Sequence, residues 1–235
     1  MFYDILKQGD KMNNKIFEHI LILVAIVAVF FSYNITLLKP DPIVINDEEN
    51  YKVPENILFL GDSITDFYEL EKYYEDTTYM VNSGFSGYSA EQLRRELQEK
   101  AYRYNPSKVF LLVGTNDIQL RRGPEEIFGY IKDIVEGFQK VRPYTKIYIE
   151  SIYPINNSDD PKIDHEMVGI RTNEKVEEVN KLIKDYCEKE KITYIDMNAE
   201  LQDEEGKLNI NYTRDGLHMN EEGYKKITEI LKEYI

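Results

Sequence analysis

From Asn56 to the C-terminus, short apolar runs alternate with longer segments in which apolar residues recur every three or four positions. Strands that alternate with helices in this way predict a parallel sheet covered by helices on both faces. The strand-like runs are Ile57–Leu60, Tyr79–Asn82, Val109–Val113, Ile147–Ile152 and Ile192–Ile195. The segments with helical periodicity are Ala90–Arg103, Pro124–Val141, Thr172–Glu190 and Glu221–Tyr234.

A long apolar segment, Ile16–Leu38, precedes this region. It has roughly the 20 residues that a membrane-spanning helix needs. Lys7, Lys11 and Lys15 come before it and favour a cytoplasmic N-terminus. We therefore expect a folded domain outside the cytoplasm, and divide the chain into a short cytoplasmic tail (1–15), a transmembrane anchor (16–38), a linker (39–55) and that domain (56–235).

Two other interpretations of the apolar segment stay open. A cleaved signal peptide would make the protein secreted, although no small-x-small cleavage site follows Phe31. A buried helix of a soluble domain is the other. The linker that follows contains Pro40, Pro42 and Pro54 among acidic residues, a composition typical of an extended tether.

Charge and rare residues narrow the function further. The net charge of −14 argues against nucleic acid as a partner, because phosphate binding needs a basic surface. The single cysteine, Cys187, excludes an internal disulfide and a cysteine-rich metal site. Only three histidines are present, so the search for a catalytic base is short: His19, His165 and His218.

The first of four candidate motifs is Gly61-Asp62-Ser63, directly after the first predicted strand. Ligands of open α/β sheets bind at the carboxyl ends of the strands. Ser63 would lie there at a helix N-terminus, where backbone N–H groups can stabilise an anion. The alternative is a simple helix cap, since Asp and Ser are both favoured caps.

Two further motifs follow the next two strands. In Asn82–Ser89, Gly84 and Gly87 let a loop approach a ligand and present a backbone N–H; the alternative is an ordinary turn with Ser89 as a helix cap. In Gly114–Asp117, the Asn116 amide can donate to a developing oxyanion. The alternative there is again a turn, which Gly, Asn and Asp all favour.

The fourth motif, Asp215-Gly216-Leu217-His218, contains the best candidate base. A carboxylate near a histidine can orient the imidazole and stabilise its cation. His19 lies in the apolar segment, and His165 lies in a charged stretch that we expect to be exposed. The alternative for this motif is a surface loop that precedes an Asn220 cap.

Taken together and in this order, the four motifs resemble the SGNH hydrolase superfamily, also called GDSL esterases/lipases. The resemblance implies a flavodoxin-like three-layer α/β/α sandwich with a mainly parallel five-stranded sheet, and no metal or organic cofactor. It implies a catalytic triad of Ser63, His218 and Asp215. It assigns the oxyanion hole to the backbone N–H groups of Ser63 and Gly87 and the side-chain amide of Asn116. Ile64 stands where the family's alternative name has leucine, an apolar packing position.

This resemblance predicts a membrane-anchored serine esterase. The polar segment Tyr153–Arg171 offers no apolar lid, which favours a short acyl group such as an O-acetyl on an envelope or extracellular glycan. The expected partners are this acyl ester and the membrane. A lysophospholipase, a thioesterase and an O-acetyltransferase are alternatives with the same site. A surface glycan-binding module and a tethered scaffold with acidic helices are the non-enzymatic alternatives.

Overall fold

The computed structural model describes residues 56–235. The predicted tail (1–15), anchor (16–38) and linker (39–55) therefore lie outside the described residues. Among residues 56–235, no helix is both long and apolar enough to cross a membrane.

A single five-stranded sheet forms the centre of the described region. All of its neighbouring strands are parallel, and their order is β2-β1-β3-β4-β5. This is the flavodoxin-like order, in which the chain reverses its direction of travel across the sheet between β1 and β3. The sheet confirms the sequence-based prediction. Its strands are β1 Ile57–Gly61, β2 Met80–Gly84, β3 Lys108–Leu112, β4 Lys146–Glu150 and β5 Thr193–Ile195.

Helices cover both faces of the sheet. In chain order they are α1 Ser63–Asp66, α2 Leu70–Tyr73, α3 Ala90–Arg95, α4 Leu97–Lys100, α5 Thr115–Gln119, α6 Pro124–Val141, α7 His165–Val168, α8 Asn173–Glu190, α9 Met197–Leu201 and α10 Glu221–Leu231. Helices α3, α4, α6 and α8 pack on one face, and α1, α2, α9 and α10 pack on the other.

The alternation of side chains along β1 explains the two layers. Leu58 and Leu60 are buried with α3, α4, α6 and α8, whereas Ile57 and Phe59 are buried with α1, α2, α9 and α10. Successive residues of a strand point to opposite faces, so a strand that is apolar throughout must be covered on both sides. The two hydrophobic clusters leave the carboxyl ends of the strands as the place where polar loops gather.

One predicted element differs in the structure. The segment Ala90–Arg103, predicted as one helix, is split into α3, α4 and a 3₁₀ turn at Tyr102–Tyr104. Side chains act as partners for backbone carbonyl groups near the end of this segment. Ser83 donates its hydroxyl to the Lys100 carbonyl at 2.5 Å, and Arg142 donates to the Tyr102 carbonyl at 2.8 Å. The other predicted elements differ by up to three residues at their ends, and the short helices α2, α5, α7 and α9 were not predicted from the sequence.

Candidate active site

The four sequence motifs meet at the carboxyl edge of the sheet. Ser63 follows β1, Gly87 follows β2 and Asn116 follows β3, while His218 precedes α10. The side chains of Ser63 and His218 are both buried beneath the edge, each with 6% of the residue exposed. His165, the rejected histidine, is exposed as expected.

A continuous chain of hydrogen bonds joins three of the predicted residues. Ser63 Oγ lies 3.0 Å from His218 Nε2, and His218 Nδ1 lies 2.8 Å from Asp215 Oδ2. The other carboxylate oxygen, Oδ1, accepts the backbone N–H groups of Leu217 at 2.9 Å and His218 at 2.7 Å. The Asp215 carboxylate therefore holds both the ring and the backbone of the histidine.

These bonds also fix the charge of Asp215. Partial burial raises its pKa, but the bonds from the His218 ring and from the two backbone N–H groups outweigh burial and lower the pKa to about 2. A carboxylate that is ionised at neutral pH beside Nδ1 favours the tautomer with its proton on Nδ1. Nε2 is then left as an acceptor for the Ser63 hydroxyl.

In the first motif, Asp62 caps the helix and the adjacent Ser63 is the candidate nucleophile. Asp62 is the N-cap of α1, and its Oδ1 accepts the Ile64 N–H at 3.0 Å. Ser63 is the first helical residue and keeps its hydroxyl for His218. Asp62 Oδ2 is buried and has no hydrogen-bond partner in the described part of the chain. Burial raises the pKa of Asp62 to about 7, although the Ile64 N–H and the charge of Arg171 oppose it.

The second motif packs closely against α1, the helix that begins with Ser63. A Cβ on Gly84 would lie 2.0 Å from the Asp66 backbone nitrogen, so only glycine permits this approach. Ser86 donates both its N–H, at 3.2 Å, and its hydroxyl, at 2.5 Å, to Asp66 Oδ2. Gly87 follows with a φ of +79°, which most residues avoid, and faces open space. The loop thus fixes the Gly87 backbone beside α1.

Both ends of the Asn116 amide have partners. Its Nδ2 donates to the Tyr88 carbonyl at 3.0 Å, and its Oδ1 accepts from Arg171 Nη2 at 2.8 Å. The second Nδ2 hydrogen has no acceptor among residues 56–235. Sequence reasoning missed Arg171, which lies 55 residues further along the chain. No sequence motif surrounds Arg171. It is the last residue of the polar segment Tyr153–Arg171, whose composition does not single out any residue as functional.

Gly87 and Asn116 line a common cavity of about 370 Å³. The ionic side chains in its wall, Glu91 and Arg122, pair with each other, and Arg122 also pairs with buried Asp117. The charged side chains of this wall are therefore paired, and more of the exposed lining is apolar than polar. The rest of its lining is Ser89, Gln92, Gln119 and Leu120. Within residues 56–235, no group of three or more His, Cys, Asp and Glu side chains is arranged to hold a metal ion.

An aromatic residue that the sequence did not indicate covers the histidine. The Phe67 ring meets the His218 ring edge-on, with centroids 5.3 Å apart. The Arg214 guanidinium lies 4.5 Å from the centroid of the same Phe67 ring, and its Nε lies 3.5 Å from Asp215 Oδ2. Phe67 and Arg214 together shield the His218–Asp215 pair on the solvent side.

Comparison with known proteins identifies the family of this chain. Residues 59–226 match the model of the GDSL-like lipase/acylhydrolase family, and this span includes Ser63, Gly87, Asn116, Asp215 and His218. Among curated proteins, an N-acylneuraminate cytidylyltransferase of Escherichia coli is 28% identical over 195 residues. That match covers 80% of this chain but only 43% of the relative's length.

Solved structures share the fold. A Streptococcus pneumonia protein provisionally named a platelet activating factor is 32% identical, with a TM-score of 0.71; the match covers 79% of this chain and 86% of that one. A GDSL-like lipase of Bacteroides thetaiotaomicron is 23% identical with a TM-score of 0.67, covering 77% of this chain and 87% of the other. The second likeness, at this low identity, bears on the fold alone.

Proposed function

This chain belongs to the GDSL-like lipase/acylhydrolase family and is an ester hydrolase; from this premise we propose that it hydrolyses short acyl esters of sugars through Ser63. The observation that carries the proposal is the hydrogen-bonded chain from Ser63 through His218 to Asp215. It supplies a nucleophile, a base and a group that orients the base, which together form a minimal acyl-transfer site.

In the proposed first step, His218 Nε2 removes the proton of the Ser63 hydroxyl while Oγ attacks the ester carbonyl carbon. Asp215 stabilises the imidazolium that forms and does not itself take the proton. The C–O bond to the alcohol then breaks, and His218 donates its proton to the leaving oxygen. Water, deprotonated by His218, attacks the acyl-enzyme and releases the acid, which restores the Ser63 hydroxyl.

The negative charge of the tetrahedral intermediate needs donors that are already in place. We assign this role to the backbone N–H groups of Ser63 and Gly87 and to the free N–H of the Asn116 amide. Ser63 begins α1, where unpaired N–H groups favour an anion. Donors fixed in advance in a partly buried site stabilise such a charge without reorganising during the reaction.

The hydrogen-bonding side chains in the cavity beside Gly87 and Asn116 support a sugar ester. The carboxamides of Gln92 and Gln119 and the Glu91–Arg122 ion pair can hydrogen-bond to the hydroxyl groups of a sugar. The name of the Escherichia coli relative also concerns an acylated sugar. Its match spans most of this chain and so must overlap the hydrolase motifs.

We further propose that Ile16–Leu38 anchors the protein in a membrane with residues 56–235 outside the cytoplasm. The length of the apolar segment and the preceding lysines support this placement. Protease treatment of intact cells tests it. Digestion of the folded domain is the expected result, and full protection of that domain would contradict the placement.

Hydrolysis by the full-length protein in mild detergent tests the enzymatic proposal. The substrates are p-nitrophenyl acetate, butyrate and octanoate, and an O-acetylated N-acylneuraminate as the sugar ester. We expect turnover to fall with chain length and to disappear in Ser63→Ala. Ser107→Ala is the matched control, because its hydroxyl bonds to the Asn56 carbonyl at the opposite edge of the sheet.

Three outcomes would change the proposal. Preference for octanoate would replace the short acyl group with a lipid ester. Transfer of acetyl to an added sugar in place of acetate release would make the protein an O-acetyltransferase. Absence of Ser63-dependent turnover, together with no labelling of Ser63 by a fluorophosphonate, would leave a glycan-binding module as the better account.

A further inference from the structure

We infer that Arg171 is a positioning residue for the oxyanion hole: its guanidinium holds the Asn116 amide in the one orientation that presents an N–H to the reacting carbonyl oxygen. The inference rests on the proposed function for its catalytic consequence. Its structural part, the fixing of the Asn116 amide, stands on contacts that can be measured without any substrate.

The surroundings of Arg171 are specific. Only 6% of the residue is exposed, and every nitrogen of the guanidinium donates a hydrogen bond. Nε donates to the carbonyl and the hydroxyl of Thr115, each at 3.0 Å, and Nη2 donates to Asn116 Oδ1 at 2.8 Å. Nη1 reaches the Met167 and Val168 carbonyls at 3.0 Å and Gln119 Oε1 at 3.3 Å. Lysine has a single nitrogen and lacks this planar fork of donors.

These contacts determine which way the Asn116 amide faces. A flipped amide would place its NH₂ group against the Arg171 guanidinium, so two donors would meet and a buried acceptor would be lost. The same flip would turn Oδ1 toward the Tyr88 carbonyl, where two acceptors would meet. Arg171 and Tyr88 therefore select one orientation. In it, one N–H is bonded to Tyr88 and the other is free for a ligand.

The positive charge adds an electronic effect. A hydrogen bond from a cation to an amide oxygen is stronger than one from a neutral donor and polarises the amide. The free N–H of Asn116 thus becomes a better donor to an anion. Arg171 acts on the intermediate through Asn116, because its own hydrogen bonds are directed to the protein.

The segment Tyr153–Arg171 also contacts the loop that carries Asp215 and His218, through backbone hydrogen bonds. The backbone N–H groups of Asp164 and Asn156 donate to the Asp215 and Gly216 carbonyls at 2.9 and 2.8 Å. Those bonds brace the histidine loop and do not involve the Arg171 side chain. A change at Arg171 is therefore expected to impair the oxyanion side while the Ser63–His218–Asp215 bonds persist.

A double-mutant cycle tests this dependence. Wild type, Arg171→Gln, Asn116→Ala and the double variant are compared with p-nitrophenyl acetate. In the wild-type protein, Arg171→Gln should lower kcat roughly 10-fold with little change in KM. This loss of kcat is smaller than the ~10²–10³-fold loss expected when an oxyanion donor is deleted. In the Asn116→Ala background the same change should cost less than about twofold, because coupled residues are not additive. Equal losses in both backgrounds would overturn the inference.

Two variants separate positioning from general destabilisation. Arg171→Lys keeps the buried cation without the fork, and its kcat should lie between those of wild type and Arg171→Gln. Arg142→Gln is the matched control, because Arg142 is also partly buried and donates twice to the Tyr102 carbonyl at the opposite edge of the sheet. It should leave kcat unchanged. A loss of kcat in Arg142→Gln equal to that in Arg171→Gln would show a purely structural effect and overturn the inference.

A spectroscopic measurement distinguishes failure of this inference from failure of the proposed function. In protein labelled with ¹⁵N-asparagine, the Asn116 side-chain NH₂ pair is assigned by its absence in Asn116→Ala. Arg171→Gln should shift or broaden this pair, and Arg142→Gln should not. An unchanged pair in Arg171→Gln would overturn the positioning role even in an active enzyme. A changed pair in a protein without esterase activity would retain the positioning role and reject the function.

Discussion

The two halves of the candidate site are built in different ways. On the triad side, Asp215 holds the ring and the backbone of a histidine only three residues away. On the oxyanion side, Asn116 is held by Tyr88 and Arg171, which lie 28 and 55 residues away along the chain. The Asp215–His218 pair is a property of one loop, whereas the orientation of Asn116 exists only when three separate loops are packed together.

This difference teaches where the site is vulnerable. The hydrogen bonds that hold the His218 ring on Asp215 lie within one short loop, so fewer distant side chains act on them. A donor held from distant positions depends on the packing of every loop that touches it, here including the Ser86–Asp66 contact that fixes the Gly87 loop. Substitutions on the triad side should therefore act directly on the chemistry, and those on the oxyanion side should also act through neighbours.

The largest effect within this comparison is expected for Asp215→Asn. The amide keeps the shape of the carboxylate and can still accept the Leu217 and His218 N–H groups, but it removes the negative charge beside Nδ1. We expect kcat to fall about 10⁴-fold, as for the equivalent change in a serine protease triad, with the melting temperature nearly unchanged. Asp76→Asn, in an exposed turn before β2, is the control and should retain full activity.

Asn116→Ala should have the next largest effect. It deletes the side-chain donor while leaving the backbone N–H groups, so we expect kcat to fall by ~10²–10³ and KM to change little. Steady-state kinetics with p-nitrophenyl acetate measures both. A variant with unimpaired kcat would remove Asn116 from the oxyanion hole and leave the two backbone donors as the whole of it.

Gly87→Ala should have a smaller effect, because it keeps the N–H and changes only the backbone preference. The φ of +79° costs a non-glycine residue about 1–2 kcal/mol, and the new Cβ meets no atom within 4 Å. We expect the protein to fold and kcat to fall several-fold, by less than about 10-fold. Gly206→Ala is a matched control, with a φ of +74° and the same open surroundings. If it reduced kcat equally, the Gly87 effect would not be specific to the site.

The smallest expected effect concerns the pH dependence of stability and leaves catalysis intact. Burial raises the pKa of Glu150 to about 7, although the Tyr153 hydroxyl opposes it, and the nearby Asp62 raises it further. The folded state therefore favours the protonated acid. In the unfolded state Glu150 ionises near pH 4.5, whereas in the folded state it ionises only near pH 7. The free energy of unfolding therefore falls as the pH rises through this range.

Glu150→Gln removes this titration while keeping a hydrogen-bonding partner for Tyr153. We expect its melting temperature at pH 8 to exceed that of wild type by roughly 2–4 °C for each kcal/mol gained, and the difference to vanish near pH 4. Thermal unfolding across this pH range measures it. Exposed Glu99→Gln is the control. A wild-type protein that is equally stable at pH 5 and pH 8 would contradict the prediction.

Much of the fold could be predicted because it follows local patterns. The run Val109–Val113 has no polar residue, so β3 had to be buried on both faces, and the observed strand agrees within one residue. The break after Arg95 could not be predicted, because no Gly or Pro lies between Ala90 and Arg103. Further along the segment, the Lys100 and Tyr102 carbonyls accept hydrogen bonds from Ser83 and Arg142, which are brought in by the sheet and by the end of α6.

By itself, the sequence determined the sheet, the loops that follow its strands and the residue types available for acyl transfer. Those properties depend on periodicity, turn residues and the short spacing between Asp215 and His218. Only the tertiary structure decided that the Ser63 hydroxyl lies 3.0 Å from His218 and that Arg171 holds the amide of Asn116. Contacts between residues 155 and 55 positions apart are set by the packing of helices on the sheet, which no local pattern encodes.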